Sequence, residues 1–388
     1  MPSNPQLLVA IQGLRFVLFP IPIITLFFKD QLGLTVGDVL LLQAAFGLVA
    51  VVLEFPSGYV ADRLGHRLSL LVAGVLWLVG WVLYARAYDF TSALVAESTL
   101  AAGLAFLSGA DAALLYESLE EEGRAGEYTR WEGRGRAAGQ ICEATSSAVG
   151  GWLYSVAPRL PFQLQIPIAA IGFGLAAATR EVRAPMPDPG AHRSHLERIR
   201  AILRFAATHR ELRAAFALSV SLGLSSFVMV WLIQPYVQAR GVPEAWLGPL
   251  WAFANLWLAV VSLASARVAD AIGLVATLLL CVLLAPAGYA VLAGVASAWG
   301  AVGYLLLMTL RGLQGPLLAA AIQRAAPAGD RASVISLNSL LFRLGFVVLG
   351  PAIGALVDLA GMERTLALLA VFFGITSLAS FAAFRRSA

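Results

Sequence analysis

Gly58-Tyr-Val-Ala-Asp62-Arg63-Leu-Gly65-His66-Arg67 stands between two apolar runs, a turn of glycine and charge in an otherwise greasy chain. Gly58 and Gly65 suit close helix approach and a tight turn. Asp62 can meet a helix N-terminus or an arginine. Arg63 and Arg67 can pair acids at a membrane rim. A fainter copy, Ala266-x-x-x-Asp270-x-x-Gly273, lies 208 positions further on, again between two apolar runs.

Outward from these turns the apolar runs recur to the end of the chain. Each is long enough to cross a bilayer as a helix, which takes about 20 residues. Twelve spans are expected, near 6–28, 37–60, 67–86, 91–117, 133–156, 161–179, 213–238, 245–266, 273–296, 299–323, 332–358 and 363–384. Of 388 residues, 59% are hydrophobic and 13% charged. A soluble domain carries about 25% charged residues, so the exterior must be lipid. The pI near 9.3 does not indicate nucleic acid, because the basic residues fill short gaps between apolar runs, as they do when they orient membrane helices. Cys142 and Cys281 sit inside apolar runs and read as small buried hydrophobes, not as a disulfide or metal site. Met1 to Leu8 carries no basic start, and Arg15 interrupts the first run, so that run reads as a retained helix.

Lysine and arginine set the expected orientation. Arg63, Arg67, Arg124, Arg130, Arg134, Arg136, Arg267, Arg324 and Arg331 share one set of loops with the central linker and the tail. The opposite loops hold Lys29, Arg86, Arg159, Arg240 and Arg364. The richer side is expected to be cytoplasmic, with both termini there, in an inner (plasma) membrane.

The two halves read as divergent copies. Ser108-Gly109 through Leu114-Leu115 resembles Arg311-Gly312 through Leu317-Leu318, 203 positions later, and Gly150-Gly151 resembles Gly354-Ala355, 204 later. A chance run of small residues is the competing reading, since these are common in membrane helices. The organisation expected is a bundle over 1–180, a cytoplasmic linker over 181–212 and a second bundle over 213–388. In the linker, Leu196, Ile199 and Leu203 share a helical face with Arg198, Arg200 and Arg204 largely between them. That predicts a basic amphipathic helix on the anionic leaflet, or else a solvated tether.

The ten-residue turn resembles the loop motif of the major facilitator superfamily, Gly-x-x-x-Asp-Arg-x-Gly-Arg-Arg, with His66 in place of one basic residue. The resemblance implies an all-α membrane protein of twelve transmembrane helices in two pseudo-symmetric six-helix bundles. It implies that spans one, four, seven and ten line a central cavity, placing Arg15, Asp111 and Arg311 toward the pathway. It also implies a gating role for the motif residues Gly58, Asp62, Arg63, Gly65 and Arg67. The family's antiporter motif, Gly-x-x-x-Gly-Pro-x-x-Gly-Gly in the fifth span, survives only as Gly150-Gly151.

Ionisable groups at membrane depth are costly and mark function by default. Arg15 is read as a substrate or gating residue, or as half of a structural ion pair. Asp111 and Glu143 are proton-coupling candidates, or static partners of Arg311 or Arg343. Glu54 and Glu117 are expected to pair with Arg134 or Arg136 in a gate, and Glu97 is assigned nothing. Pro20, Pro22 and Pro235 are expected to break spans one and seven at matching depths, or simply to kink them. Gln12, Gln234, Tyr236 and Asn255 could hydrogen-bond a substrate, and Trp231, Trp251 and Trp257 could stack on one. No histidine lies in a span, so a histidine relay is not expected.

The sequence holds no phosphate-cradling Gly-x-x-x-x-Gly-Lys, metal-ligand cluster or nucleophile elbow. The function expected is therefore secondary transport, not catalysis, and no cofactor. A small organic molecule, anionic or amphipathic, would be exported by alternating access, driven by protons or another coupling ion. A proton-coupled uptake symporter and a lipid scramblase are the alternatives. A monomer among membrane lipids is expected.

Overall fold

A computed structural model describes residues 3–182, 204–205, 208–327 and 331–387, without the side chains of Phe55, Asp62 and Ala332. The amphipathic helix expected in the linker, with Leu196, Ile199 and Leu203, lies outside the described residues, and so does the Asp62 side chain. The described residues are almost entirely helical. We number the helices α1 Asn4–Arg15, α2 Val36–Leu64, α3 His66–Arg86, α4 Phe90–Leu107, α5 Ala110–Glu121, α6 Tyr128–Val156, α7 Leu160–Ala178, α8 Arg210–Gln238, α9 Leu247–Ile272, α10 Leu274–Gly294, α11 Val302–Ala325, α12 Arg331–Ala360 and α13 Met362–Arg385.

Ten helical segments among the described residues are long and apolar enough to cross a membrane, with α4 and α5 counted together. The remaining two of the twelve crossings are the first and fifth. The first is cut short by a break after Arg15, and α6 carries the polar run Tyr128–Arg136. Leu263 and Leu359 are more than four-fifths exposed, which only a lipid surround would tolerate for so apolar a surface.

The chain divides into two compact units, Met1–Pro185 with Pro243–Ala252, and Met186–Val242 with Phe253–Ala388. In the first, α3 packs on α4 and α7, while α1 packs on α6, α7 and α5. In the second, α10 packs on α11 and α13, while α8 packs on α12, α13 and α11. These are the same pairings carried onto the second set of spans. Aromatic rings repeat the match. Tyr84 of α3 stacks on Phe162 of α7 at 5.2 Å, and Tyr289 of α10 stacks on Phe373 of α13 at 5.5 Å.

Two expectations about helix breaks need correction. Pro235 does not interrupt span seven: α8 runs through it unbroken to Gln238. The proline sits in the last turn, where few intrahelical bonds remain to lose. Span four, expected whole, breaks instead at Ser108–Gly109, where Gly109 takes φ +85°. That left-handed conformation suits glycine alone among common residues.

Candidate functional site

The site begins with a helix that stops early. Pro20 lacks an amide hydrogen and its ring would clash with a helical carbonyl four residues back. The first helix accordingly ends at Arg15, and residues 16–23 run as turns before Ile24–Leu26 and a π turn at Phe27–Gln31. Irregular backbone at membrane depth needs other partners for its polar groups. Ser146 Oγ of α6 accepts from the Leu18 amide at 3.0 Å, and Gln165 Nε2 of α7 donates to the Val17 carbonyl at 2.7 Å. Gly139 lets α6 approach this segment, since a Cβ there would lie 2.7 Å from the Phe16 ring.

The break in span four supplies the other half. Arg15 closes the C-terminal turn of α1, and Asp111 lies in the first turn of α5. A helix favours a cation at its C-terminus and an anion at its N-terminus. The two breaks thus create the ends at which this pair meets. Arg15 Nη1 lies 3.6 Å from Asp111 Oδ2. Gln12 Nε2 donates to Asp111 Oδ2 and to Glu132 Oε2, both at 3.3 Å. Arg136 Nε donates to Glu132 Oε1 at 3.0 Å. A polar chain therefore runs from Arg15 through Asp111, Gln12 and Glu132 to Arg136. Gly135 leaves room for the Gln12 side chain, which a Cβ there would strike. Gln12 Oε1 is buried with no hydrogen-bond partner.

Several expected partnerships are different in the structure. Within the first unit Asp111 pairs with Arg15. Glu117 does not meet Arg134 or Arg136: its Oε1 lies 3.1 Å from His66 Nε2. Arg136 takes the acid one turn away on its own helix, Glu132, and Arg134 lies over the Trp131 ring at 4.7 Å. The Glu54 side chain is exposed on α2. Tyr236 is not open to a substrate. It is fully buried and its hydroxyl donates to the Leu292 carbonyl at 2.9 Å.

The ten-residue turn closes as a reciprocal cap. Gly65 takes φ +101°, the tight turn expected of it. Glu181 accepts from the His66 and Arg67 amides at 3.2 and 3.0 Å, capping the N-terminus of α3. Arg67 Nε in turn donates to the Thr179 carbonyl at 2.6 Å and its Nη2 to Ala177 at 3.0 Å, capping the C-terminal end of α7. Arg63 is exposed, over the Tyr59 ring at 5.2 Å. Gly58 departs from the close approach expected, since nothing lies within 4 Å of a Cβ there. Gly58→Ala is accordingly expected to hold or raise the melting temperature in detergent, by the equivalent of about 0.5–1 kcal/mol.

In the second unit Arg311 stands mid-way along α11, its guanidinium 6.0 Å from the Phe227 ring. Phe227 meets Trp231, Phe342 and Phe346 edge-on. Gln234 is buried on α8, and Asn255, Arg343 and Glu143 are half-buried on α9, α12 and α6.

Sequence reasoning missed Glu97. The residue is 3% exposed, and its Oε1 accepts from Tyr84 Oη and Gln43 Nε2, each at 2.6 Å. These partners come from α3 and α2, and no local spacing announces them. Glu132 was within reach, because Glu132 and Arg136 stand four apart on one helix face. Among the described residues no group of three or more His, Cys, Asp or Glu side chains is placed to hold a metal ion.

The sequence profile of the Major Facilitator Superfamily matches residues 8–350. No curated protein matches the sequence. The nucleoside transporter NupG superposes with a TM-score of 0.82 at 12% identity, covering 99% of this chain and all of that one. A POT family transporter in complex with 5-aminolevulinic acid gives 0.77 at 12% identity, covering 100% and 97%. A bacterial homologue of the human lysosomal transporter Spinster gives 0.73 at 15% identity, covering 98% and 96%. At such identities the likeness is one of fold.

Proposed function

The chain belongs to the major facilitator superfamily, and on that premise we propose that it carries a small organic anion across the inner membrane, coupled to protons, by alternating access between its two six-span halves. Multi-pass membrane insertion, secondary transport of a small molecule and the lack of an enzymatic role follow from the family itself. The substrate class, coupling ion and direction are our reading.

The observation that carries this reading is the Arg15–Asp111 pair at two helix ends. Arg15 can trade Asp111 for the acidic group of a substrate, because both present the same oxygen geometry to the guanidinium. An anion that takes Arg15 leaves Asp111 without its cation, and a proton is the simplest replacement at membrane depth. Anion and proton then load together. That charge balance favours symport, and so uptake, over the export expected from the scatter of basic residues. Glu143, Arg311, Gln234 and Asn255 remain candidates for the same pathway. Glu54, Glu117, Arg134, Arg136, Arg343 and the Gly58–Arg67 turn remain candidates for its gate.

Purified protein screened by thermal shift against small carboxylates and sulfonates yields the probe. The same compound is then offered to proteoliposomes under an imposed pH gradient. Symport moves the anion with the proton flux, and export by antiport moves it against that flux. Lipid flipping indifferent to the gradient, with no anion flux, would support a scramblase and remove the transporter reading.

A further inference from the structure

Glu97 is the acid of α4 that the Arg15–Asp111 pathway leaves unused. It differs from Asp111 in one respect: no Lys, Arg or His of the described residues lies within 4 Å of its carboxyl, whereas Asp111 has Arg15. Its two partners, Tyr84 Oη and Gln43 Nε2, are neutral and both point at Oε1. Gln43 and Tyr84 are 7% and 0% exposed. Tyr84 is itself enclosed by rings, with Phe28 at 5.9 Å and Phe162 at 5.2 Å.

The charged groups of the surrounding elements are engaged elsewhere or exposed. On α2, Asp38 bonds Thr35 in a capping box, and Glu54 is exposed. At the end of α3, Arg86 is exposed. Before α4, Asp89 accepts from the Ser92 amide. Lys29 stands 3.6 Å from Asp30. Arg159, at the start of α7, donates to the Ala85 carbonyl at 2.9 Å and covers the Phe27 ring. An ionised Glu97 would thus be a buried charge with no counter-charge, the arrangement that proteins avoid most consistently.

We propose that Glu97 is a proton-binding site, a neutral carboxylic acid whose carbonyl oxygen takes both donors and whose proton comes from water. Loss of the proton leaves a bare charge among neutral groups, so ionisation and the packing of α2 and α3 on α4 oppose each other. The site links a proton to the arrangement of three helices, and in that role it deepens the proton-coupled reading above. Its own test needs no substrate.

Glu97→Gln is the informative variant, because a glutamine carbonyl accepts both donors and keeps the fold. Infrared spectra of the reconstituted protein at neutral pH are expected to show a protonated-acid C=O band that is absent in E97Q. Melting curves give the second measurement. Unfolding turns the acid into an ordinary glutamate, which ionises above about pH 4.3. The unfolded state then binds fewer protons, so wild type loses stability as pH rises. Relative to E97Q, its unfolding equilibrium is expected to shift toward the unfolded state by up to about tenfold for each pH unit raised above that point, for as long as the folded protein keeps the proton. Carboxylate bands at neutral pH that E97Q removes, together with parallel pH profiles, would overturn the proposal. Either result leaves the anion-flux experiment to stand or fall separately.

Discussion

Arg15→Ala is expected to lower the stability of the protein by about 3 kcal/mol and to abolish anion flux. The side chains of the pair are 27% and 9% exposed. Removing Arg15 therefore leaves Asp111 with the Gln12 side-chain amide, the Ala112 backbone amide and the positive end of a short helix, but no cation. Asp111→Asn is the milder change, because Arg15 keeps some water and lies over the Phe16 ring at 5.0 Å. The double variant, Arg15→Ala with Asp111→Asn, is expected to recover most of the lost stability and none of the flux. Its coupling energy separates a buried ion pair from two unrelated residues. Thermal melts in detergent measure the first quantity and proteoliposome uptake the second. An Arg15→Ala protein that melts like wild type would reduce the pair to a bystander.

Gly248→Val is expected to cost at least as much. Within the first unit, a Cβ on Gly248 would lie 2.5 Å from the carbonyl oxygens of both Ser147 and Ala148. Gly151, opposite, would meet the Gly248 amide at 2.9 Å and the Glu244 carbonyl. The obstacles are backbone atoms inside helices, which cannot turn aside as a side chain can. Overpacking of that kind costs about 1–3 kcal/mol where side chains can shift and more where they cannot. Poor expression or a melting temperature more than about 5 °C lower is expected for Gly248→Val and Gly151→Val. Gly58→Ala serves as the matched control, since its surroundings are open. Equal effects at the three positions would mean that glycine content, and not backbone contact, governs these helices.

These contrasts show which features a one-dimensional reading reaches. The spans, the repeated halves and the Gly65 turn are all written in local patterns: run length, offset, and a glycine flanked by charges. The early end of span one was legible in Pro20 and Pro22. Gly109 was not, because one glycine in an apolar run gives no sign of whether the helix will bend or continue. Pro235 misled for the opposite reason, as its cost depends on how many helical residues follow it. The partners of Asp111 and Glu117 are set by which helices lie side by side, and the sequence ranks several arginines equally. The motif marked Gly58 and Gly65 alike, yet only Gly65 meets a neighbour, the Glu181 carboxylate.

The unwound stretch after Arg15 has a bearing on how the protein is made. A regular helix enters the bilayer complete, with every amide already bonded inside itself. The first crossing cannot. The Leu18 amide waits for a hydroxyl 128 residues downstream, and the Val17 carbonyl for an amide 148 downstream. Until the fifth and sixth crossings have left the ribosome, the opening segment has to borrow water or a chaperoning surface. The N-terminal half therefore matures backwards, its first-born helix the last to be finished.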